Sequence, residues 1–370
     1  MMKINLVTGA TGFIGRRLVH ELLLQGEYVW IIVRVEIDKD LEGRRKKEIF
    51  TELKNKYPDK FKIIEGDVAK NRLEIGKFLE SLHDYSLEIW HLAANLSFVK
   101  KEKKDIYKTN VEGTRNIVKL ANKYSARLYY MSTAYVCGNS KEHIKEDKLI
   151  KGTRFRNNYE KTKYLAEKIV RKESKNYIIF RSSIVIGDGY EGKAKGCTFG
   201  YYRFSYVFYV FKNWLDKKGW DKSKLRIPIF YPSNSEVNFV SLSYVINTML
   251  EISQKDKIKN KTFHLINPNP PKFIFLFKIL MNDLGFNNVI YIKIPKFIFV
   301  LLIKKLYYIF IPYRKYIESA NWYLPYIVKD YKFSTENLKL NNINFHPKIT
   351  REFMNEVNKN AINKVFCKIK

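Results

Sequence analysis

Cysteine is scarce in this chain: Cys137, Cys197 and Cys367 are all it has in 370 residues. They lie far apart, show no C-x-x-C spacing and are odd in number, which excludes a zinc ribbon or a disulfide framework and fits a reducing cytosol. Long unbroken apolar runs are missing too. The most apolar late stretch, Phe297 to Tyr313, is interrupted by Lys304, Lys305 and Pro312, so it is too short and too charged to span a bilayer. The first apolar run starts within a few residues of Met1, and no signal peptide is expected. Acidic residues are under-represented, 37 against 68 Lys and Arg, for a formal net charge of +31 and a pI of about 9.7.

Such a balance raises nucleic acid as a partner. The basic residues are, however, spread over the whole chain without one dense tract, and no nucleic acid is expected. The field favours acidic partners instead: a phosphorylated cofactor, a phosphopantetheine-bearing substrate, an acidic carrier protein or an anionic membrane. The Lys-, Tyr- and Phe-rich stretch from Pro295 to Tyr308 reads either as a surface-seeking amphipathic segment or as a core helix of a substrate domain.

What is present starts with Ile4 to Gly15. A short apolar run ends at Thr8, Gly9, Gly12 and Gly15 follow at intervals of three, and an apolar-periodic segment (Leu18, Val19, Leu22, Leu23) begins at once. That is strand, tight turn, helix. Glycines suit a sharp turn, a close backbone approach to a pyrophosphate and tight helix–strand packing, and the helix N-terminus offers N–H donors to an anion. The spacing G-x-x-G-x-x-G is not the commoner G-x-G-x-x-G, so an ordinary βα turn would give the same letters.

Downstream, Tyr28 to Val33 is a nearly continuous apolar run, as in a parallel strand covered on both faces. It ends at Arg34. An arginine there accommodates a 2′-phosphate, whereas an acidic residue binds the ribose 2′-hydroxyl. Arg34, with Arg16 as a second candidate, favours NADPH over NADH; Glu36 is a counter-signal. Lys62 to Glu65 gives a third strand closed by Gly66-Asp67-Val68. Leu87 to Leu92 gives a fourth, running into Ala93-Ala94-Asn95, and His91 inside it reads as a packed histidine. A helix is expected around Asp105 to Tyr124, a fifth strand over Arg127 to Tyr135 and a sixth over Tyr177 to Ile186. This alternation predicts a doubly wound α/β sheet of the Rossmann type with right-handed crossovers, and ligands bind beyond the carboxyl ends of such strands.

Tyr159-Glu160-Lys161-Thr162-Lys163 opens a strongly periodic helix. Tyr and Lys at i and i+4 share one face, and an ammonium beside a phenol favours phenolate and brings the tyrosine toward working pH. The same spacing also occurs by chance on solvated helix faces.

Taken together, Gly9-x-x-Gly12-x-x-Gly15, Asp67, Ala93-Ala94, Asn110-Val-Glu-Gly-Thr114, Ser132-Thr133, Tyr159-x-x-x-Lys163 and the stretch Arg181 to Gly187 resemble an extended short-chain dehydrogenase/reductase. Val237 to Val245 resembles that family's late strand-and-helix return, and Thr262 to Pro270 its last sheet strand. Within the superfamily, Trp90 to Phe98, Ser132 to Val136 and the insertion after Gly187 are most similar to the branch of fatty acyl-CoA reductases and the thioester reductase domains of carboxylic acid reductases and peptide synthetases, whose NAD-binding domain is of the male-sterility type. Ser182 departs from the family's frequent proline after the arginine. Cys137 replaces a tyrosine common in sugar-epimerase members.

The resemblance implies roles. Tyr159 would protonate the developing oxyanion, Lys163 would hold the nicotinamide ribose and depress the tyrosine pKa, and Thr133 would hydrogen-bond the carbonyl oxygen, with Ser132 as its fallback. Asn110 would support the lysine. The cofactor would contact Gly9, Thr11, Gly12, Phe13, Ile14, Gly15, Arg34, Asp67, Val68, Ala93, Ala94, Asn95, Tyr159, Lys163 and Ile184; no metal is implied. Residues 1–187 would form the NADP-binding domain, with 237–267 returning to it, while 188–236 and 268–370 would form a smaller, mostly helical substrate region.

The insertion after Gly187 is rich in glycine, lysine and aromatics: Gly189, Gly192, Lys193, Lys195 and Gly196, then Phe199 to Phe211. An aromatic stripe is more often core than binding site. Its apolar character nonetheless suits a lipophilic acyl thioester better than a sugar nucleotide. The expected activity is therefore NADPH-dependent reduction of an acyl-CoA or acyl-carrier thioester to an aldehyde, with the alcohol as a further product. A sugar-nucleotide epimerase or dehydratase, a sterol-type alcohol dehydrogenase and a non-catalytic NADPH sensor are the alternatives. A cytoplasmic location, with peripheral membrane contact and a homodimer left open, completes the expectation.

Overall fold

A computed structural model of the chain describes residues 1–34, 41–76, 78–140, 143–187, 200–221, 224–309, 322–344, 347 and 349–366. Glu36, Cys197, Cys367 and the residues from Gly189 to Phe199 fall outside them. In chain order the elements that position the site are β1 (Met2–Thr8), α1 (Phe13–Leu24), β2 (Tyr28–Val33), α2 (Leu41–Lys56), β3 (Phe61–Glu65), α3 (Phe78–Ser81), β4 (Tyr85–His91), α4 (Lys103–Tyr107), α5 (Gly113–Lys123), β5 (Arg127–Thr133), α6 (Asn158–Glu173) and β6 (Tyr177–Ser182). There follow β7 (Ile184–Ile186), α7 (Tyr201–Lys217), β8 (Ile227–Pro232), β9 (Phe239–Ser241), α8 (Leu242–Ser253), β10 (Lys261–Leu265), α9 (Phe273–Asp283), β11 (Val289–Ile294) and α10 (Lys296–Ile309).

The chain divides into two compact units. The first comprises Met1–Ser183, Ile246–Leu265 and Phe333–Phe345; the second comprises Ile184–Val245, Ile266–Lys332 and His346–Lys370. In the first unit seven strands lie in the order β10-β6-β5-β4-β1-β2-β3. Every neighbouring pair is parallel, for example Ile4 beside Tyr28 and Leu87, and Thr262 beside Ile179. This is the doubly wound arrangement, with strand order reversing at β1. Strands covered on both faces must be apolar throughout, and β2, β5 and β6 are buried along almost their whole length. Leu18, Val19, Leu22 and Leu23 of α1 are buried as their period required.

Two strand and helix boundaries differ from the sequence reading, each for a hydrogen-bonding reason. The apolar run Tyr177 to Ile186 is not one strand. Ser183 N–H still donates to Leu265 of β10 at 3.1 Å, but Ile184 N–H donates to Asn238 at 3.3 Å, and β7 pairs with β9 in a separate small sheet. The unit boundary accordingly falls at Ser183 rather than 187, and the return to the first unit begins at Ile246 rather than 237. Likewise the helix expected over Asp105 to Tyr124 is α4 and α5 joined by a five-residue π-turn, Lys108–Glu112. The C-terminal segment Phe333–Phe345 also joins the first unit. Asn337 N–H donates to the buried Glu146 carboxylate at 2.7 Å, and His264 N–H to its other oxygen at 2.8 Å.

The second unit has its own aromatic core, in which Tyr201, Tyr202 and Tyr206 of α7 pack with Phe273, Phe277, Leu280 and the later helical segments. A cavity of about 30 Å³ within it is lined almost entirely by apolar residues, among them Ile184, Tyr201, Phe204, Phe239, Phe273 and Phe277. A second small sheet pairs β8 with β11 in parallel.

Candidate active site

The turn after β1 is built by backbone constraint. Gly9 adopts φ +75°, and a Cβ there would lie 2.5 Å from the Ala93 nitrogen; a Cβ at Gly15 would lie 2.1 Å from the Gly9 carbonyl oxygen. Neither position tolerates a side chain, because strand end, turn and first helical turn are in direct backbone contact. Gly12 N–H donates to the Gly9 carbonyl at 2.9 Å, and Gly12 opens α1 with no side-chain cap and no acidic residue in the first turn. Thr11, Phe13 and Ile14 line this turn, half-buried. A cradle of this form fits a dinucleotide pyrophosphate.

The other strands of the sheet end at the same edge. Arg34 is exposed directly after β2. After β3, Asp67 Oδ1 accepts the Ala69 N–H at 2.9 Å, while Asn116 of α5 donates to the carbonyls of Val68 and Lys70, both at 3.0 Å. After β4, Ala93 and Ala94 are half-buried, and Asn95 is pinned in both directions by one side chain. Asn110 Oδ1 accepts the Asn95 N–H at 2.7 Å, and its Nδ2 donates to the Asn95 carbonyl and to Thr162 Oγ1, both at 3.0 Å. Asn110 sits in the π-turn, a feature that frequently marks functional sites. It couples the loop after β4 to α6, which carries the Tyr-Lys pair.

α6 begins at a side-chain cap. Asn157 Oδ1 accepts the Glu160 N–H at 2.9 Å, and Glu160 reaches back past the cap to accept the Arg156 N–H at 3.1 Å. Tyr159 is thereby set in the first turn, half-buried, with the Phe98 ring 6.1 Å from its own. Lys163, one turn on, is 3% exposed; its Nζ donates to the Met131 carbonyl at 2.5 Å and lies 4.2 Å from the Tyr130 ring centre. Burial pushes its ammonium down to about 7, against the pull of the Glu167 carboxylate. Burial likewise holds the Tyr130 phenol well above its ordinary range.

Thr133 and Ser132 point to opposite faces of β5, as neighbours on a strand must. The Thr133 hydroxyl accepts the Tyr135 N–H at 3.3 Å and makes a long 3.5 Å contact with the Ser182 carbonyl. The Ser132 hydroxyl instead donates to Glu167 at 2.7 Å. Glu167 and Arg181 are both fully buried and joined at 2.7 Å, and Arg171 donates to Glu167 from the other side at 2.9 Å. These guanidinium groups hold the Glu167 carboxyl well below its ordinary range despite its burial. Ser132 thus belongs to this ionic cluster. Ile184 belongs to the second unit, where it pairs with Phe239 and lines the apolar cavity.

His91 is packed, as its strand position predicted. It is 0% exposed, and both ring nitrogens are engaged. The Thr114 hydroxyl donates to the Asn110 carbonyl, so it accepts from His91 Nε2 at 3.1 Å, which leaves Nδ1 to accept from Thr8 Oγ1 at 2.7 Å. Burial, and then the Lys163 charge, lower this histidine to about 3. Thr8, Thr162, Tyr130 and Glu167 are given no site role by the sequence, and Thr114 enters only as the end of the Asn110–Thr114 motif. Glu167 does carry a positional signal, lying one turn beyond Lys163 on the same helix face. No group of His, Cys, Asp or Glu among the described residues could hold a metal ion.

Comparison with known proteins agrees with this architecture. The family model described as Male sterility protein matches residues 7–249. The nonribosomal peptide synthetase asaC of Aspergillus flavus is 25% identical over 289 residues, covering 71% of this chain and 26% of that protein. Fatty acyl-CoA reductase 1 of Gallus gallus is 28% identical over 221 residues, 49% of this chain and 42% of its own length. The chain thus spans less than half of either relative. Among solved structures, the terminal R domain from the myxalamid PKS-NRPS biosynthetic pathway superposes with a TM-score of 0.76 at 20% identity, covering 99% of this chain and 92% of that one.

Proposed function

The chain belongs to the male sterility protein family, and from that premise we propose that it is an NAD(P)H-dependent oxidoreductase domain of the extended short-chain dehydrogenase/reductase type that reduces an acyl thioester to an aldehyde with NADPH. The observation that carries the proposal is the pair on α6: a half-buried Tyr159 one turn before a buried Lys163, beside the carboxyl end of β5 where Thr133 lies.

The residues of the glycine turn would hold the cofactor's pyrophosphate and Arg34 its 2′-phosphate. When bound, the nicotinamide supplies the hydride. The chain's own groups manage charge. Thr133 and the Tyr159 hydroxyl hydrogen-bond the carbonyl oxygen, and Tyr159 gives its proton to the oxygen as negative charge develops there. Lys163, while charged, stabilises the phenolate left behind. Asn110 fixes the spacing between the β4 loop and α6. The tetrahedral hemithioacetal then returns its hydroxyl proton to the Tyr159 phenolate as its C–S bond breaks, releasing the aldehyde and a thiolate that takes a proton from solvent; a second reduction, with a second NADPH, would give the alcohol.

A lipophilic acyl group is supported by a relative named as a fatty acyl-CoA reductase. The thioester would be presented on CoA or on a carrier protein. The test is to follow NADPH absorbance with acyl-CoA, acyl-carrier, aldehyde and UDP-sugar panels. Consumption with a thioester is expected. Turnover of UDP-sugars without net NADPH loss, or no turnover with thioester and aldehyde alike, overturns the proposal.

A further inference from the structure

α10 exposes what a helix of a folded unit ordinarily buries. It anchors itself through Phe299, 5% exposed, whose ring lies 6.3 Å from that of Phe273 on α9. On its outer side Phe297, Ile298 and Leu301 are 67%, 37% and 55% exposed. Phe297, Leu301 and Lys305 follow at i, i+4 and i+8, with Lys304 beside them, so the apolar ridge ends in two exposed lysines. Single exposed apolar residues are ordinary; three large ones within two turns of one helix form a patch. β11, which leads into the helix, and its parallel partner β8 expose Ile290 and Phe230 on one strand face, 37% and 36% exposed, while the exposed Lys293 projects from the opposite face of β11.

Charge identifies the occupant. Between Asp283 and Glu318 every charged side chain is basic: Lys293, Lys296, Lys304, Lys305, Arg314 and Lys315. Lys296 is paired with Asp330 at 2.6 Å, and Lys293, Lys304 and Lys305 are exposed. A second copy seated symmetrically on this ridge would bring the same lysines together, whereas an anionic lipid surface answers both the apolar ridge and the positive charge. The described part of α10, at 1.5 Å per residue, is about 21 Å long and falls short of the roughly 30 Å hydrocarbon core. No helix among the described residues is long and apolar enough to cross a membrane.

We propose that α10 seats the protein on an anionic lipid surface. Phe297, Ile298 and Leu301 enter the boundary between headgroups and acyl chains, while Lys304 and Lys305 meet lipid phosphates, with the lysine stems lying along the apolar layer. This inference does not depend on the reductase reading, since it concerns a surface and not the site.

The experiment is co-sedimentation of the full chain with vesicles of phosphatidylcholine alone and of phosphatidylcholine mixed with phosphatidylglycerol. Binding is expected only to the mixed vesicles and should weaken as salt shortens the Debye length below about 10 Å. Phe297→Ser/Leu301→Ser should weaken binding roughly tenfold or more. Leu340→Ser, at a leucine 72% exposed in the first unit, should not. Lys304→Gln/Lys305→Gln, at exposed positions that leave the core intact, should weaken binding to mixed vesicles as well, which keeps the test open if the apolar variant misfolds. Absence of vesicle binding by the parent chain, or equal binding by the parent and both variants, overturns the proposal. So does a dimer in light scattering that the apolar variant dissociates without any vesicle binding by the parent, for then the ridge joins two copies.

Discussion

The Lys163 ammonium donates to the main-chain carbonyl of Met131 at 2.5 Å, so the cation beside Tyr159 is held by the strand that also carries Thr133. Its burial makes that cation titratable in a range where lysines are ordinarily charged. An amine lowered from 10.5 to about 7 keeps its proton below that pH and loses it above. The free-enzyme profile, kcat/KM against pH, should therefore fall as pH rises through about 7. Lys163→Arg, charged throughout, should move that descending limb to higher pH even where its maximum is lower. A limb that stays in place assigns it to another group.

Tyr159→Phe removes the proposed proton donor and keeps the ring at this half-buried position at the start of α6. Turnover should fall by about 10² to 10⁴, while NADPH binding followed by fluorescence stays near the parent value. Parental turnover would remove Tyr159 from the mechanism.

Gly9→Ala asks an alanine to adopt φ +75° with its methyl carbon 2.5 Å from the Ala93 nitrogen. The strain should cost about 1–3 kcal/mol of stability, read in a denaturant titration, and NADPH affinity should drop with it. Gly76→Ala is the matched control: it too lies at positive φ, but nothing stands within 4 Å of its added carbon.

His91 is neutral in the folded chain, lowered to about 3, and would titrate near 6.5 when unfolded. Its contribution is fully present above about 6.5. As pH falls below that value the unfolded state takes up a proton that the folded state refuses, and stability is lost by up to about 1.4 kcal/mol per pH unit. His264, also lowered to about 3 by burial and then by Arg181, acts in the same window. His91→Gln should flatten the fall of Tm between roughly pH 6 and 4 by His91's share. A slope identical to the parent's would show that His91 is charged in the folded state.

Glu167→Gln leaves the buried Arg181 guanidinium without its carboxylate and takes an acceptor from Ser132. Breaking one side of such a pair should cost about 3–5 kcal/mol, seen as a lower denaturation midpoint with unchanged slope. A loss below about 1 kcal/mol would mean that water replaces the carboxylate.

Much of the first unit was legible because its signals are local. The run Tyr28 to Val33 matches β2 residue for residue, since a strand covered on both faces must be apolar from end to end. The glycines, Asp67, Ala93, Asn110, Thr133, Tyr159 and Lys163 do fall at the carboxyl ends of the strands or on the helices beside them. What was illegible depends on pairing partners distant in the chain. Nothing in Tyr177 to Ile186 says that Ser183 bonds to Leu265 and Ile184 to Asn238. A π-turn differs from an α-helix by one unseen residue, and Asn110-Val-Glu-Gly reads as plain helix. Ser132 and Thr133 look interchangeable as letters; only the strand's alternation and the Glu167 carboxylate separate them. The contact of Glu146 with Asn337 joins residues 191 apart, with no motif at either end.

β10 has a bearing on how the chain is made. It is the outermost strand beside β6, yet it is translated only after α7, β8 and β9 have emerged. Until Lys261 to Leu265 leave the ribosome, β6 presents the free edge of Tyr177 to Ser182, an apolar ribbon open to pairing with any other nascent chain. Premature termination before β10 should therefore yield aggregates, not a smaller soluble domain, and chaperone demand during synthesis should peak over that interval.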